Sequence, residues 1–231
     1  MTDQPISPIE KAFLEVRSSG LSLTDRLGVV ANAARIHKPW YAEAIDDFTA
    51  RLRQVRAGAD APEVGDAMPP FILPDHDGQL ISLDEVLNDG PAVIAFHRGH
   101  WCPFCRLSMI ALAEVEQQLK PARIVAISTE TQRYTRMLRE QTGAMFPVLT
   151  DMDGAYAMAL NIAVMLDDKL ANMISEAGWD VPLYQGGKEW LLPIPAVFVV
   201  RSDRTIAARH IDPDYRQRME IDELLRCVKS V

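Results

Sequence analysis

Cys102 and Cys105 lie two residues apart in the run Phe96-His97-Arg98-Gly99-His100-Trp101-Cys102-Pro103-Phe104-Cys105-Arg106. A pair at this spacing, at the start of a helix, can close a small disulfide within one turn. The first sulfur then sits beside free amide donors and the positive end of the helix dipole, both of which favour a thiolate. Arg98 and Arg106 are expected to add positive charge. An unperturbed thiol is only about 3% ionised at neutral pH. Roughly 2 kcal/mol of favourable dipole and charge interaction brings about half of it into the thiolate form, which suits a redox nucleophile. The same run offers His97, His100, Cys102 and Cys105 as metal ligands. Zinc sites usually draw two ligand pairs from separated knuckles, and these cysteines have no second pair.

The elements that must position this run can be read on both sides of it. Ala92 to His97 and Arg123 to Ser128 are near-continuous apolar strands of the kind found inside a covered sheet. Between them, Pro103 to Leu119 has helical periodicity, with Leu107, Ile110, Ala111, Val115 and Leu119 on one face and Leu112 on its flank. The cysteines therefore fall where a central strand ends and a helix begins, the edge at which reactive groups gather in open α/β sheets. A helix over 131–142, a strand over 147–150, a hairpin of 196–200 with 205–210, and a last helix carrying Ile221, Leu224, Leu225 and Val228 complete the set. This order predicts an α/β sheet covered by helices on both faces.

Three amphipathic helices precede the sheet. Ser7-Pro8-Ile9-Glu10 reads as a capping box with proline in the first turn, and Ser22 to Asp25 repeats the signal before Leu23, Leu27, Val30 and Ala34. Beyond Pro39, the series Tyr41, Ile45, Phe48, Leu52 and Val55 marks the third. Ala57 to Pro62 reads as a linker. The expected organisation is an N-terminal helical extension over residues 1–60, packed on a main domain over residues 61–231. The residues from Met165 to Trp190 are expected to form an insertion that covers the site.

The chain has 231 residues, 48% apolar and 24% charged, with a net charge of −8. That balance suits a globular protein and disfavours nucleic-acid binding, which needs a basic face. Apolar runs such as Ala92 to Phe96 are far too short to span a bilayer. The opening Met-Thr-Asp-Gln-Pro lacks the basic start and apolar stretch of a secretory signal, so a cytoplasmic location is expected. Three cysteines, an odd number, in a reducing compartment argue against a structural disulfide framework. Cys227, at the margin of the last helix's apolar stripe, is expected to pack rather than react.

Gly65-Asp66-Ala67-Met68-Pro69-Pro70-Phe71-Ile72-Leu73-Pro74-Asp75 resembles the opening of peroxiredoxins of the alkyl hydroperoxide reductase/thiol-specific antioxidant (AhpC/TSA) family, and Gly78 and Leu83 fit as well. Arg98-Gly99-x-Trp101-Cys102-Pro103-Phe104-Cys105 is similar to the signature of the peroxiredoxin-like branch. The resemblance extends through Leu192-Pro193-Ile194-Pro195-Ala196 and His210-Ile211-Asp212-Pro213-Asp214-Tyr215, from about residue 62 to the end. It implies a thioredoxin-like fold and a thiol-dependent peroxidase. Peroxide would be the substrate, a thioredoxin or similar dithiol the reductant, and no metal or organic cofactor would be needed; a homodimer would be reasonable.

The two templates within the resemblance disagree about the attacking sulfur. Peroxiredoxin offsets put Arg98 at the proline, Cys102 at the threonine and Cys105 at the peroxidatic cysteine. A thioredoxin alignment makes Cys102 the nucleophile and Cys105 its buried partner. Cys102 is expected to attack first, as the better exposed sulfur and the one better served by the dipole. Trp101 and Pro103 are expected to support it. Pro195 resembles the cis-proline that faces the cysteine pair in thioredoxins, and Arg98 is a substitute for the arginine that holds the peroxide. The alternatives are a thiol–disulfide oxidoreductase acting on protein disulfides and a metal-binding or docking module.

Overall fold

Ala92–Phe96 (β3) lies at the middle of the sheet because every residue in it is apolar and can be covered from either side. Successive side chains point to opposite faces. Ala92, Ile94 and Phe96 enter one apolar cluster, and Val93 and Ala95 enter another. The computed structural model describes residues 6–231, so the reading of Met1–Pro5 as leader-free lies outside the described residues. It contains the helices Pro8–Val16 (α1), Leu23–His37 (α2), Pro39–Gln54 (α3), Leu83–Leu87 (α4), Pro103–Leu119 (α5), Gln132–Thr142 (α6), Ala155–Ala159 (α7), Asp168–Glu176 (α8), Val181–Gln185 (α9) and Ile221–Lys229 (α10). The other strands are Ile72–Pro74 (β1), Leu80–Ser82 (β2), Arg123–Ser128 (β4), Val148–Thr150 (β5), Ala163–Met165 (β6), Leu191–Pro193 (β7), Ala196–Val200 (β8) and Ile206–Ile211 (β9).

The main sheet has the order β5-β4-β3-β8-β9. β3 pairs parallel with β4 and antiparallel with β8. β1–β2 and β6–β7 form two small antiparallel ribbons that the sequence did not announce; each strand has only three residues. One face of the main sheet packs on Leu83, Val86 and Tyr156, the other on α5, α6 and α10 through Met109, Leu138 and Leu224.

The expected single apolar face of α5 is two faces. Leu107, Ile110 and Ala111 join the N-terminal helices, while Met109, Leu112, Val115 and Leu119 join the sheet. A helix sandwiched between two layers must be apolar nearly all round, which blurs a one-sided periodicity. The N-terminal helices pack on it through Phe13, Val16, Leu27, Val30, Ile45 and Phe48, in the cluster that also holds Cys102 and Cys105.

Two details of these helices differ from expectation. Ser7 accepts the Glu10 amide, but the Glu10 carboxylate turns away to both terminal nitrogens of Arg106, at 3.1 and 3.2 Å, so the capping box is half formed. Val55 lies beyond the end of α3 and is 73% exposed, because the chain leaves the helix there and reverses with Arg56 at φ +55°.

Candidate active site

The ladder runs one residue past β3, where the His97 amide donates to the Ile127 carbonyl at 2.9 Å. The chain then turns sharply. Gly99 adopts φ +139°, and a Cβ there would lie 2.5 Å from Glu130 Oε1 and 2.8 Å from Trp101 Nε1, so only glycine fits. Cys102 is the N-cap of α5 and Pro103 occupies its first turn, where a missing N–H costs no helical bond. Cys105 follows one turn along. Both thiols are free.

Neither sulfur is exposed: both cysteines have zero relative accessibility, which corrects the expectation that Cys102 is the better exposed of the two. The asymmetry between them is electrostatic. Burial pushes the Cys102 thiol up, but the Cys105 thiol hydrogen bond, the charges of Arg98 and Arg218 and the Cys105 amide outweigh it and bring Cys102 down to about 5. Burial pushes Cys105 well above its ordinary value, and its hydrogen bond to Cys102 and that neighbour's negative charge push the same way. One sulfur is therefore a thiolate at neutral pH and the other a thiol.

Two arginines place positive charge beside the pair. Arg98 is buried, with its guanidinium carbon 3.7 Å from the centroid of the Tyr215 ring and 4.9 Å from that of Trp101, a cation–π sandwich. Its amide donates to Cys105 Sγ at 3.4 Å. Arg218 donates through Nη2 to Cys105 Sγ at 3.6 Å and through Nε to Ser108 Oγ at 3.1 Å. Arg106, expected to contribute charge, does not: it is held by Glu10 over the Phe13 ring. The sequence singled out Arg106 by proximity, but the Glu10 carboxylate takes up its guanidinium.

The remaining sequence candidates fall in different places. Trp101 and Pro103 line the cavity above Cys102. Pro195 does not resemble the thioredoxin cis-proline: among the described residues the only cis peptide bond is Lys120–Pro121. A trans bond is the ordinary state of an X–Pro link in a β7–β8 connection. Pro195 lines a pocket of about 20 Å³ with His97, Ser108 and Arg218. His97 is buried with neither ring nitrogen hydrogen-bonded, and burial together with the Arg218 charge lowers its pKa to about 3. Among the described residues no three His, Cys, Asp or Glu side chains converge as a metal-ligand group. Cys227 is half-buried against the apolar cluster beneath α10.

Sequence reasoning missed three groups. Arg218 is the most consequential; it lies three residues beyond Tyr215, and nothing distinguishes it in sequence from Arg216, which pairs with Asp46 and Asp214. Tyr41 was read only as a helix-stripe residue, yet it lines the same cavity as Arg98, Cys102 and Tyr215. Glu130, 1% exposed, holds His100 by two bonds, to the ring Nδ1 at 2.6 Å and from the amide at 2.8 Å. Burial raises its pKa against those bonds. Its signal was a carboxylate two residues beyond the end of an apolar strand.

A cavity of about 530 Å³ lies over Cys102. The sheet side supplies Arg98, His100, Trp101 and Cys102, the N-terminal helices supply Tyr41 and Ile45, and the 165–190 segment supplies Met173, Ile174 and Trp179. The insertion covers the site as expected.

A thioredoxin-like α/β sheet with a cysteine pair at the carboxyl end of its central strand defines a thiol oxidoreductase. Residues 64–209, more than half of the chain, match the AhpC/TSA family. The chain belongs to that family, and it is a peroxiredoxin-like peroxidase. A Mycobacterium tuberculosis protein named "Putative peroxiredoxin Rv1608c" is 28% identical over 110 residues, which cover 47% of this chain and 71% of the relative. Two solved structures share the fold. Peroxidoxin BcpB of M. tuberculosis has a TM-score of 0.58 at 22% identity, over 73% of this chain and 97% of that one. A peroxiredoxin-like protein of Aquifex aeolicus has a TM-score of 0.58 at 16% identity, over 74% and 88%. The helices α1–α3 lie outside the family match.

Proposed function

We propose that the chain reduces hydrogen peroxide or organic hydroperoxides by a cycle between Cys102 and Cys105, in the cytoplasm, with a thioredoxin-like dithiol as electron donor. The observation that carries this reading is the placement of two free, buried cysteines at the start of α5 with Arg98 and Arg218 beside them, an arrangement that lowers the pKa of Cys102 and raises that of Cys105.

The Cys102 thiolate attacks the distal peroxide oxygen, the O–O bond breaks, and the leaving alkoxide or hydroxide takes a proton to become an alcohol or water. Cys102 becomes a sulfenic acid. Cys105 then attacks that sulfur, the S–O bond breaks, water leaves, and a Cys102–Cys105 disulfide forms. A dithiol donor returns two electrons and two protons by exchange. Arg98, sandwiched between Tyr215 and Trp101, faces the oxygen that acquires charge. Pro103 fixes the start of α5, and residues 1–60 act as an extension covering the catalytic domain of 61–231.

Both sulfurs are buried, which disfavours protein disulfides as the primary substrate; reduction by a protein donor then involves displacement of the covering helices. The test is mass spectrometry after a brief, limiting peroxide pulse, with thioredoxin-coupled peroxide consumption by the wild type, Cys102→Ser and Cys105→Ser. A sulfenic acid on Cys102 in Cys105→Ser, and a Cys102–Cys105 disulfide in the wild type, are expected. A sulfenic acid on Cys105 in Cys102→Ser, formed at the wild-type rate, overturns the assignment.

A further inference from the structure

A carboxylate and an imidazole are buried together beside the cysteine pair. Glu130 is held against His100 at two points, accepting from the amide at 2.8 Å and meeting ring Nδ1 at 2.6 Å. Gly99 permits this approach, since a Cβ there would lie 2.5 Å from Glu130 Oε1. Aromatic rings confine the imidazole further. Tyr134 stacks on its face with centroids 5.0 Å apart, and Tyr184 and Trp179 make T-shaped contacts at 4.8 and 6.3 Å.

The free position on the ring is Nε2. It has no hydrogen-bond partner among the described residues and, unlike both ring nitrogens of His97, is not sealed from water. It opens on the cavity whose wall His100 shares with Arg98 and Cys102. A carboxylate as deep as Glu130 is costly to bury unless its partner neutralises it. A neutral Glu130–His100 pair holds two protons: one between Oε1 and Nδ1, whichever atom carries it, and one on Nε2. Burial raises the proton affinity of Glu130 against its bonds to His100, and the negative charge of Cys102 adds to the rise.

We propose that His100, oriented by Glu130, donates the proton to the oxygen that leaves when Cys102 attacks a peroxide. This rests on Cys102 being the attacking sulfur, and it names the source of a proton that the cycle requires. The sulfur bonds to the distal oxygen, the O–O bond breaks with its electron pair on the proximal oxygen, and that oxygen takes the Nε2 proton. Cys102 is oxidised to a sulfenic acid, the peroxide is reduced to water or an alcohol, and the pair keeps one proton and a negative charge. The same step consumes the thiolate whose charge favoured the second proton. Reduction of the disulfide later returns Cys102 as a thiol, and its ionisation restores the proton to Nε2.

A proton donor matters most where the leaving group is poor. Hydrogen peroxide must expel hydroxide, the conjugate base of water with a pKa of about 15.7. Peracetic acid expels a carboxylate, whose acid has a pKa of about 4. The experiment measures, by quenching and mass spectrometry, the rate at which each oxidant forms the Cys102 sulfenic acid. The parent is Cys105→Ser, and His100→Gln and Glu130→Gln are added to it separately. In His100→Gln the hydrogen peroxide rate is expected to fall about 10²-fold, while the peracetic acid rate falls by less than about threefold. Glu130→Gln can still hold the ring but not a negative charge, and should show the same selectivity. A purely structural role lowers both rates equally, because a displaced Cys102 reacts poorly with either oxidant.

A second measurement needs no change at either residue. In D2O the parent's rate with hydrogen peroxide should fall more than its rate with peracetic acid. Equal losses for both oxidants in the variants, or equal effects of D2O, overturn the proposal and leave the Cys102 cycle standing. If Cys102 forms no sulfenic acid with either oxidant, the cycle itself fails, and the proposal with it.

Discussion

The sheet beneath the cysteines and the helical layer above them treat their side chains in opposite ways. All five residues of β3 are buried, and Phe198 on the neighbouring β8 has zero accessibility. Each N-terminal helix, in contrast, leaves large apolar groups in solvent: Leu14 is 41% exposed, Ile36 63% and Trp40 48%. A strand covered on both faces fixes what it carries to within the tolerance of close packing. A layer packed on one side only can change composition at small cost to stability. The chemistry stands on the first layer and the enclosure on the second, so the two should respond differently to substitution.

The largest effect belongs to the nucleophile. Cys102→Ser should lower peroxide consumption by about 10³-fold or more, since a serine hydroxyl without a base is a poor nucleophile at neutral pH; a coupled assay measures it. Next come substitutions in the rigid layer. Phe198→Ala should cost about 4 kcal/mol in urea unfolding through the cavity it leaves. Gly99→Ala should cost about 3 kcal/mol, because its Cβ must push against Glu130 and Trp101 at a backbone angle that disfavours side chains.

Charge is expected to act more gently. Titrating absorbance at 240 nm in the wild type should show one thiolate forming with a midpoint near pH 5, because Cys102 is depressed and stays ionised above that value. The initial peroxide step should therefore be flat from neutrality down to about pH 6 and decline below. Arg218→Met removes one of the two charges that lower Cys102, so the midpoint should rise by about one pH unit, a tenfold change in proton affinity. The smallest effect marks the outer layer: Ile36→Ala should change unfolding free energy by no more than about 0.5 kcal/mol. A cost near that of Phe198→Ala would erase the distinction between the layers.

The same division separates what could be read in the sequence from what could not. β3, β4, β8 and α5 were legible because a fully buried strand or helix leaves long apolar runs, and the Cys-Pro-Phe-Cys run fell at their junction. The N-caps Ser7 and Ser22 were legible because capping is local. Side-chain direction was not. Arg106 and Arg98 looked equivalent around the cysteines, yet one faces Glu10 and the other Tyr215. Arg218 reaches Cys105 across 113 positions of sequence, a contact that only the packing of the segment before α10 creates. Exposure failed for the same reason: a helix start on the sheet's edge suggests an open sulfur, and three helices from a distant part of the chain close over it.

The Glu10–Arg106 pair has a consequence for how the protein can be cut. It ties α1 to α5 one residue past Cys105, and Arg106 is largely withdrawn from water, with its Nε unpaired. Clipping the chain in the α1–α2 turn, near Ser19, and losing the first piece would leave that guanidinium without its counter-charge on a newly uncovered apolar surface. The remainder would be an aggregation-prone fragment rather than an uncapped enzyme. Limited digestion at that turn thus offers a sensitive report on whether the first helix stays docked in solution.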